Sequence, residues 1–155
     1  MNILLSIKPE YAKLIYEGKK TIEYRKDFPK YVLWGSKIFL YETAPIKRVT
    51  GFVYFNELKK YWLDTSHDSP PHHLRGVFLR GCVSWDFLKK YGRGEKICAW
   101  EIAGPQKLNY KDDGDLKYFT DNGKAPQSWQ YTRADFGGLA FFFHKKINNN
   151  GSAVK

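Results

Sequence analysis

The chain has 155 residues, of which 26 are lysine or arginine and 16 aspartate or glutamate, a net charge of +10 with histidine neutral. With 43% hydrophobic and 17% aromatic residues it can fill one core without disulfide or metal staples, which excludes disorder and fits a single domain. The basic surplus favours polyanionic partners, nucleic acid before an acidic membrane surface; a merely solvated basic face is the alternative reading of the same composition.

Residues 2–7 (Asn2 to Ile7) are short and apolar and predict a buried strand. The apolar run before Lys8-Pro9 is too short for a signal peptide or a membrane span, so a cytoplasmic location and no membrane association are expected. Pro9 suits the first turn of a helix, where its missing N–H breaks no hydrogen bond. Tyr11, Leu14 and Ile15 form one apolar stripe, and Gly18 is placed to end the helix in a left-handed conformation.

The next strand carries Lys20, Thr21, Glu23 and Arg25 threaded with Ile22 and Tyr24. Alternation puts Thr21, Glu23 and Arg25 on one face and Ile22 and Tyr24 on the other, packing inward. Lys20 has the parity of the core face, which a lysine resists, so it is expected where the chain is still leaving the helix, before strict alternation begins.

Asp27 to Ser36 reads as a loop, Lys37 to Thr43 as a strand stopped by Ala44-Pro45, and Val49 to Phe55 as a strand in which Gly51 marks a bulge or close approach. Glu57 to Leu63 suggests a short helix, and Ser66 to His73 a loop or insertion. Ser84 is a good N-cap for a helix over Trp85 to Tyr91, which Gly92 and Gly94 should end. Lys96 to Ala103 and Lys107 to Tyr110 are the last expected strands. Lys111 to Lys124 is expected to be an exposed hairpin or loop, and Ala125 to Tyr131 a compact polar and aromatic segment. Leu139 to Phe143 is apolar enough to dock on the body. The fold class is therefore α+β, with five or six strands in a small curled sheet or barrel and short flanking helices. One domain is expected over residues 1–145, with a disordered tail at 146–155.

Cys82 and Cys98 form no CxxC pair and join no His/Cys cluster, so no zinc site or cofactor is expected and both are read as buried, reduced thiols. His67, His72 and His73 lack metal spacing; a catalytic role is conceivable, and a surface loop beside Pro70-Pro71 is the commoner reading. Scattered cations (Lys26, Lys30, Lys47, Arg48, Lys59, Lys60, Lys89, Lys90 and Arg93) suit phosphate tracking.

Ser6-Ile7-Lys8-Pro9-Glu10-Tyr11-Ala12, then Gly18-x-Lys20-Thr21-x-Glu23-x-Arg25, Tyr41-Glu42-Thr43-Ala44-Pro45, Gly51, Trp85 to Tyr91 and Ala125-Pro126-Gln127-Ser128-Trp129 together resemble the ASCH family of the PUA-like superfamily, over about residues 2–132. The resemblance is to its stand-alone bacterial and phage members. It implies a PUA-like mixed pseudo-barrel with a cleft floored by the lysine/glutamate/arginine strand, and a link to RNA through binding or nucleotide chemistry. Some members are amidohydrolases acting on N4-acetylcytidine, and others have been associated with ribonuclease activity. Lys20 aligns with the lysine of those hydrolases, and Glu23 stands where they have a catalytic threonine.

On this reading the cleft binds RNA or a nucleotide, possibly modified, with the alternative of a hydrolase centred on Lys20 and Glu23. Lys20 and Arg25 can hold a phosphate or carbonyl oxygen, and Glu23 can accept from a base amino group or act as a general base. A salt-bridge cluster on an exposed strand is the competing reading, worth little energetically. Ser6, Lys8, Tyr41 and Thr43 lie at strand ends that can rim the cleft, with Thr21 beside them. Tyr41 and Trp129 can stack on a base, and Gln127 and Ser128 can read a base edge or form a turn.

Overall fold

The computed structural model describes residues 1–56, 61–109 and 111–135. Its strands are β1 (Asn2–Ile7), β2 (Ile22–Arg25), β3 (Lys37–Glu42), β4 (Arg48–Phe55), β5 (Tyr61–Asp64), β6 (Lys96–Lys107) and β7 (Trp129–Thr132). Three short helices accompany them: α1 (Pro9–Tyr16), α2 (Arg75–Leu79) and α3 (Trp85–Gly92). Six strands follow the path β2-β6-β4-β3-β1-β7, and β5 pairs with β6 as a seventh. The path is a mixed sheet curled into a half-barrel, the α+β architecture expected.

β1 and β3 run parallel, and the other pairings are antiparallel. β1 lies between β3 and β7, and its apolar run is buried on both faces: Ile3, Leu5 and Ile7 enter one cluster with Trp100 and Phe55, while Leu4 enters another with Phe39 and Phe119. β6 works the same way. Cys98, Trp100 and Ile102 face the first cluster; Ile97 and Ala99 face a further cluster with Ile22, Tyr24, Leu63, Trp85 and Leu88. One long strand thereby joins two cores.

β6 also replaces two expected strands. Its first half pairs with β2 and β5, and its second half with β4, across a register shift between Phe52 and Tyr54. Gly104 and Pro105 fall at that irregularity, where a missing N–H breaks no regular ladder bond, so the strand bends instead of ending. The short helix expected over Glu57 to Leu63 is not formed at its C-terminal end, because Tyr61 to Asp64 pair with Lys96 to Ala99; residues 57–60 lie outside the described ones. The segment ending at Tyr131 supplies β7, held to β1. The stretch Lys111 to Lys124 is not wholly exposed: Asp113 and Thr120 are buried and Phe119 packs against Phe39. Tyr110, Leu139 to Phe143 and residues 146–155 lie outside the described residues.

The helix ends show local chemistry at work. Gly18 adopts φ +73 after α1, its N–H bonded to the Ile15 carbonyl, as its position suggested. Ser84 accepts from the Phe87 N–H at the start of α3. The C-cap of α3 differs from expectation. Arg93 takes the left-handed conformation first, followed by Gly94 at φ +77, and Gly92 is the last helical residue, where a Cβ would lie 2.4 Å from Thr65 Oγ1. Cys98 is fully buried, but Cys82 is only half-buried, on a turn with φ 56, its thiol donating to the Lys19 carbonyl.

Gly92→Ala should therefore destabilise the fold by about 1–3 kcal/mol from overpacking, despite alanine's better helix propensity. Urea unfolding should show a lower midpoint at an unchanged slope. An unchanged or raised midpoint would mean that Thr65 yields without cost.

Candidate functional site

The Lys20 to Arg25 segment enters the sheet through a tightly bonded corner. After Gly18, the Lys19 and Lys20 N–H groups both reach the Leu14 carbonyl, and the Thr21 and Ile22 N–H groups reach the Arg80 carbonyl. Lys20 thus precedes the strand, and its side chain folds back over it. The ammonium lies 2.8 Å from the Ile22 carbonyl, 2.6 Å from the Gly81 carbonyl and 3.3 Å from Glu23 Oε2, with the Tyr11 and Tyr24 rings 5.4 and 5.6 Å away. An ammonium has three N–H donors, and three acceptors surround it here. Lys20 is 3% exposed, a burial a lysine tolerates only when so satisfied.

Glu23 is held from its other side. Arg25 Nη2 lies 2.8 Å from Glu23 Oε1 and donates to the Ser6 carbonyl at 2.7 Å, while Nη1 donates to Ser128 Oγ at 3.3 Å. Arg25 Nε is buried with no hydrogen-bond partner. Arg25 thus ties β2 to the end of β1 and to the segment that enters β7. Ser6 reinforces the same junction: its hydroxyl donates to the Pro126 carbonyl and its N–H to the Ser128 carbonyl.

These groups floor a cleft of about 250 Å³. Ser6, Lys8 and Tyr11 come from the β1–α1 junction, and Lys20, Glu23, Tyr24 and Arg25 from β2 and its approach. Thr43 follows β3, Gln127 precedes β7, and Val83, Phe87 and Tyr91 belong to α3 and its approach. The wall is aromatic. Phe87 and Tyr91 stack with centroids 6.3 Å apart and planes at 5°, and Tyr11 meets Phe87 at 6.4 Å. Burial and the Glu10 and Glu23 carboxylates push the Tyr11 phenol above its ordinary pKa; burial also raises Tyr91, with Arg25 opposing. These phenols remain neutral donors well past neutral pH.

Of the residues singled out from the sequence, Ser6, Lys8, Lys20, Glu23, Arg25, Thr43 and Gln127 line this cleft, and Ser128 stands behind it on Arg25. Three lie elsewhere. Thr21 faces a hollow on the far side of Lys20, its hydroxyl buried without a partner. Tyr41 packs against the Leu4–Phe39–Phe119 cluster, because side chains alternate along β3 and that face looks away from the cleft. Trp129 lies on the first core cluster, edge-on to Trp100, with its indole N–H donating to Asp27 Oδ1. The aromatic wall of Tyr11, Phe87 and Tyr91 was not anticipated. Its signal was present: on α3 the stripe of Trp85, Leu88 and Gly92 is buried, which leaves Phe87 and Tyr91, four residues apart, on another face.

His67, His72 and His73 line a separate groove with Asp64 and Asp68. Among the described residues no group of histidine, cysteine, aspartate and glutamate could hold a metal ion, and no helix is long and apolar enough to cross a membrane. Of the scattered cations, Lys26 sits 5.8 Å over the Tyr91 ring at the cleft and Lys89 pairs with Asp68; Lys59 and Lys60 lie outside the described residues.

The family model for the ASCH domain matches residues 5–111, which include the whole Lys20 to Arg25 floor. The chain belongs to the ASCH domain family. It is 31% identical over 133 residues to the ASCH domain-containing ribonuclease of Zymomonas mobilis, covering 85% of this chain and 84% of that one. The crystal structure of ASCH from Zymomonas mobilis superposes with a TM-score of 0.67 at 26% identity, over 95% of this chain and 94% of the other. A single-residue variant of that ASCH protein gives 0.68 at 26% identity, over 96% and 95%.

Removing the Lys20 ammonium leaves two buried carbonyls without their donor and Glu23 with Arg25 alone, so Lys20→Ala should cost about 3–5 kcal/mol of stability. This revises the view of the segment as an exposed salt-bridge strand. An unfolding free energy within about 1 kcal/mol of wild type would show that the pocket rehydrates freely. Tyr24 gives a second check. Burial, then the Glu23 charge, raise its phenol above the ordinary value of 10.0. Its contribution is fully present below pH 10 and is lost as pH rises further, because the unfolded chain then binds fewer protons than the folded one. Tyr24→Phe should flatten the fall in stability above about pH 10; equal slopes in the two proteins would refute the assignment.

Proposed function

We propose that this ASCH domain acts on RNA, its cleft receiving one nucleotide of the strand. The observation that carries the reading is a buried, charge-paired Lys20–Glu23–Arg25 floor beneath an aromatic wall, in a space of nucleoside size. Tyr11, Phe87 and Tyr91 offer rings and apolar edges to a base. Glu23 keeps lone pairs for a base amino group or a ribose hydroxyl beyond the pairs it makes with Lys20 and Arg25. Gln127, at the rim, has the donor and acceptor to read a base edge. Lys8 is exposed at the mouth, where an ammonium meets a phosphate.

On this reading the cations divide the labour differently from the expectation above. Lys20 and Arg25 already donate to acceptors within the protein, so their part is to orient Glu23 and set a positive field rather than to grip the ligand directly. Specificity then rests on Glu23, Gln127 and the shape of the wall.

A second reading is hydrolysis of the RNA, supported by the ribonuclease among the relatives and by Glu23 being the carboxylate among the cleft-lining residues. In it, Glu23 takes the proton of a ribose 2′-hydroxyl. The freed oxygen attacks the adjoining phosphorus, the bond to the 5′-oxygen breaks, and that oxygen leaves as a hydroxyl after taking a proton from water, while Glu23 later returns its proton to solvent. The product is a 2′,3′-cyclic phosphate.

Purified protein and labelled single-stranded RNA test both readings. Affinity should fall steeply as salt rises from about 50 to about 200 mM, and Lys8→Ala should reduce the log–log slope by about 0.7. Glu23→Gln should weaken nucleotide binding at least tenfold, and abolish any cleavage, in protein shown by circular dichroism to remain folded. Salt-independent association would sink the binding reading. Cleavage that survives Glu23→Gln would remove Glu23 from the chemistry.

A further inference from the structure

The loop between β2 and β3 exposes three large apolar side chains. Tyr31, Leu33 and Trp34 are 71%, 72% and 73% exposed, next to the exposed cations Lys26 and Lys30. This is not a loosely held loop. Trp100 and Trp129 both donate indole N–H groups to Asp27, at 2.9 Å each. Phe28 packs against Phe55 and Trp100, Val32 is buried, and the Tyr31 and Gly35 N–H groups bond to the Tyr131 hydroxyl and the Phe55 carbonyl. The backbone is pinned so that Phe28 and Val32 point in while Tyr31, Leu33 and Trp34 point out. Apolar area displayed this way on a small domain marks an interaction surface.

Its position names the partner. The loop begins at Arg25 of the cleft; Lys26 lies over the cleft's Tyr91, and Tyr31 adjoins Tyr131 on β7, the strand that follows Gln127 and Ser128. Rings set among lysines, on a loop that leaves the cleft at Arg25 in a chain of net charge +10, combine stacking surfaces with phosphate neutralisation. A bare protein-docking patch has no need of the lysines, and a membrane-inserting loop has no need of the continuity with the cleft.

We propose that the Lys26 to Ser36 loop is a stacking platform for unpaired bases of an RNA strand whose neighbouring nucleotide occupies the cleft. The proposal rests on the RNA reading above and extends it to a second site, in which Trp34 and Tyr31 stack on bases and Lys26 and Lys30 neutralise phosphates. Because the rings need open base faces, the platform takes single-stranded RNA and not a duplex of the same sequence.

Fluorescence anisotropy with labelled RNAs of about three and about twelve nucleotides tests it, the longer being within the reach of such grooves. Both residues are exposed, so Trp34→Ala and Tyr31→Ala should fold normally. Each should weaken the long RNA at least about fivefold and leave the short one within about twofold; Trp34→Phe should recover most of the loss. Lys30→Ala should lower the salt slope for the long RNA only, whereas Trp34→Ala should leave that slope unchanged. If wild type binds the long RNA and neither ring variant weakens it, the platform is wrong and the cleft reading stands. Equal losses on both lengths, or ring variants that lose binding to anionic phospholipid vesicles instead of RNA, would also overturn it. No binding of either RNA by wild type would overturn the RNA reading and the platform together.

Discussion

The site depends on one buried cation. Lys20 lies in the angle between the end of α1, the start of β2 and the turn at Gly81, and its ammonium is shared among the Ile22 carbonyl, the Gly81 carbonyl and Glu23. Burying an unpaired ammonium would cost several kcal/mol, so the surrounding backbone has to present acceptors where the side chain ends. That requirement orders the corner. Glu23 in turn fixes Arg25, and Arg25 reaches the Ser6 carbonyl and Ser128, so segments far apart in the chain share one electrostatic chain.

The apolar framework makes this polar chain possible. β6 and β1 are buried on both faces, and the two clusters flanking β6 hold β2 edge-on between α3 and the first core. Ile22 and Tyr24 fill the cluster on one side of β2, while Glu23 lies opposite Trp100 and Arg25 opposite Cys98 in the ladder, on the concave side. The charged face of β2 is therefore turned into the half-barrel rather than out to water. Low local polarity strengthens the pairs there.

Much of the fold was legible along the chain. The 2–7 run, the Pro9 to Gly18 helix with its left-handed end, the Ser84 cap and the alternation of Lys37 to Phe55 follow from local rules of sterics and periodicity. Elements that depend on distant partners were less so. Tyr61 to Asp64 become a strand because the edge of β6 is open to them, and Gly104-Pro105 bends a strand that a local reading ends. Position 92 needs a glycine because Thr65, from another element, occupies the space a side chain would need.

The sequence by itself determined a basic, aromatic-rich α+β domain and the place of the Lys20, Glu23 and Arg25 cluster, because composition, helix punctuation and strand parity are local properties. Tertiary structure alone decided which side chains meet that cluster. Whether Tyr41, Thr21 or Trp129 reaches the cleft depends on how the sheet curls and which face each strand turns inward, and all three turn elsewhere. Tyr11, Phe87 and Tyr91 reach it because two helices separated by most of the sheet pack across the same opening. Such contacts are fixed by packing between segments remote in sequence, which no local pattern encodes.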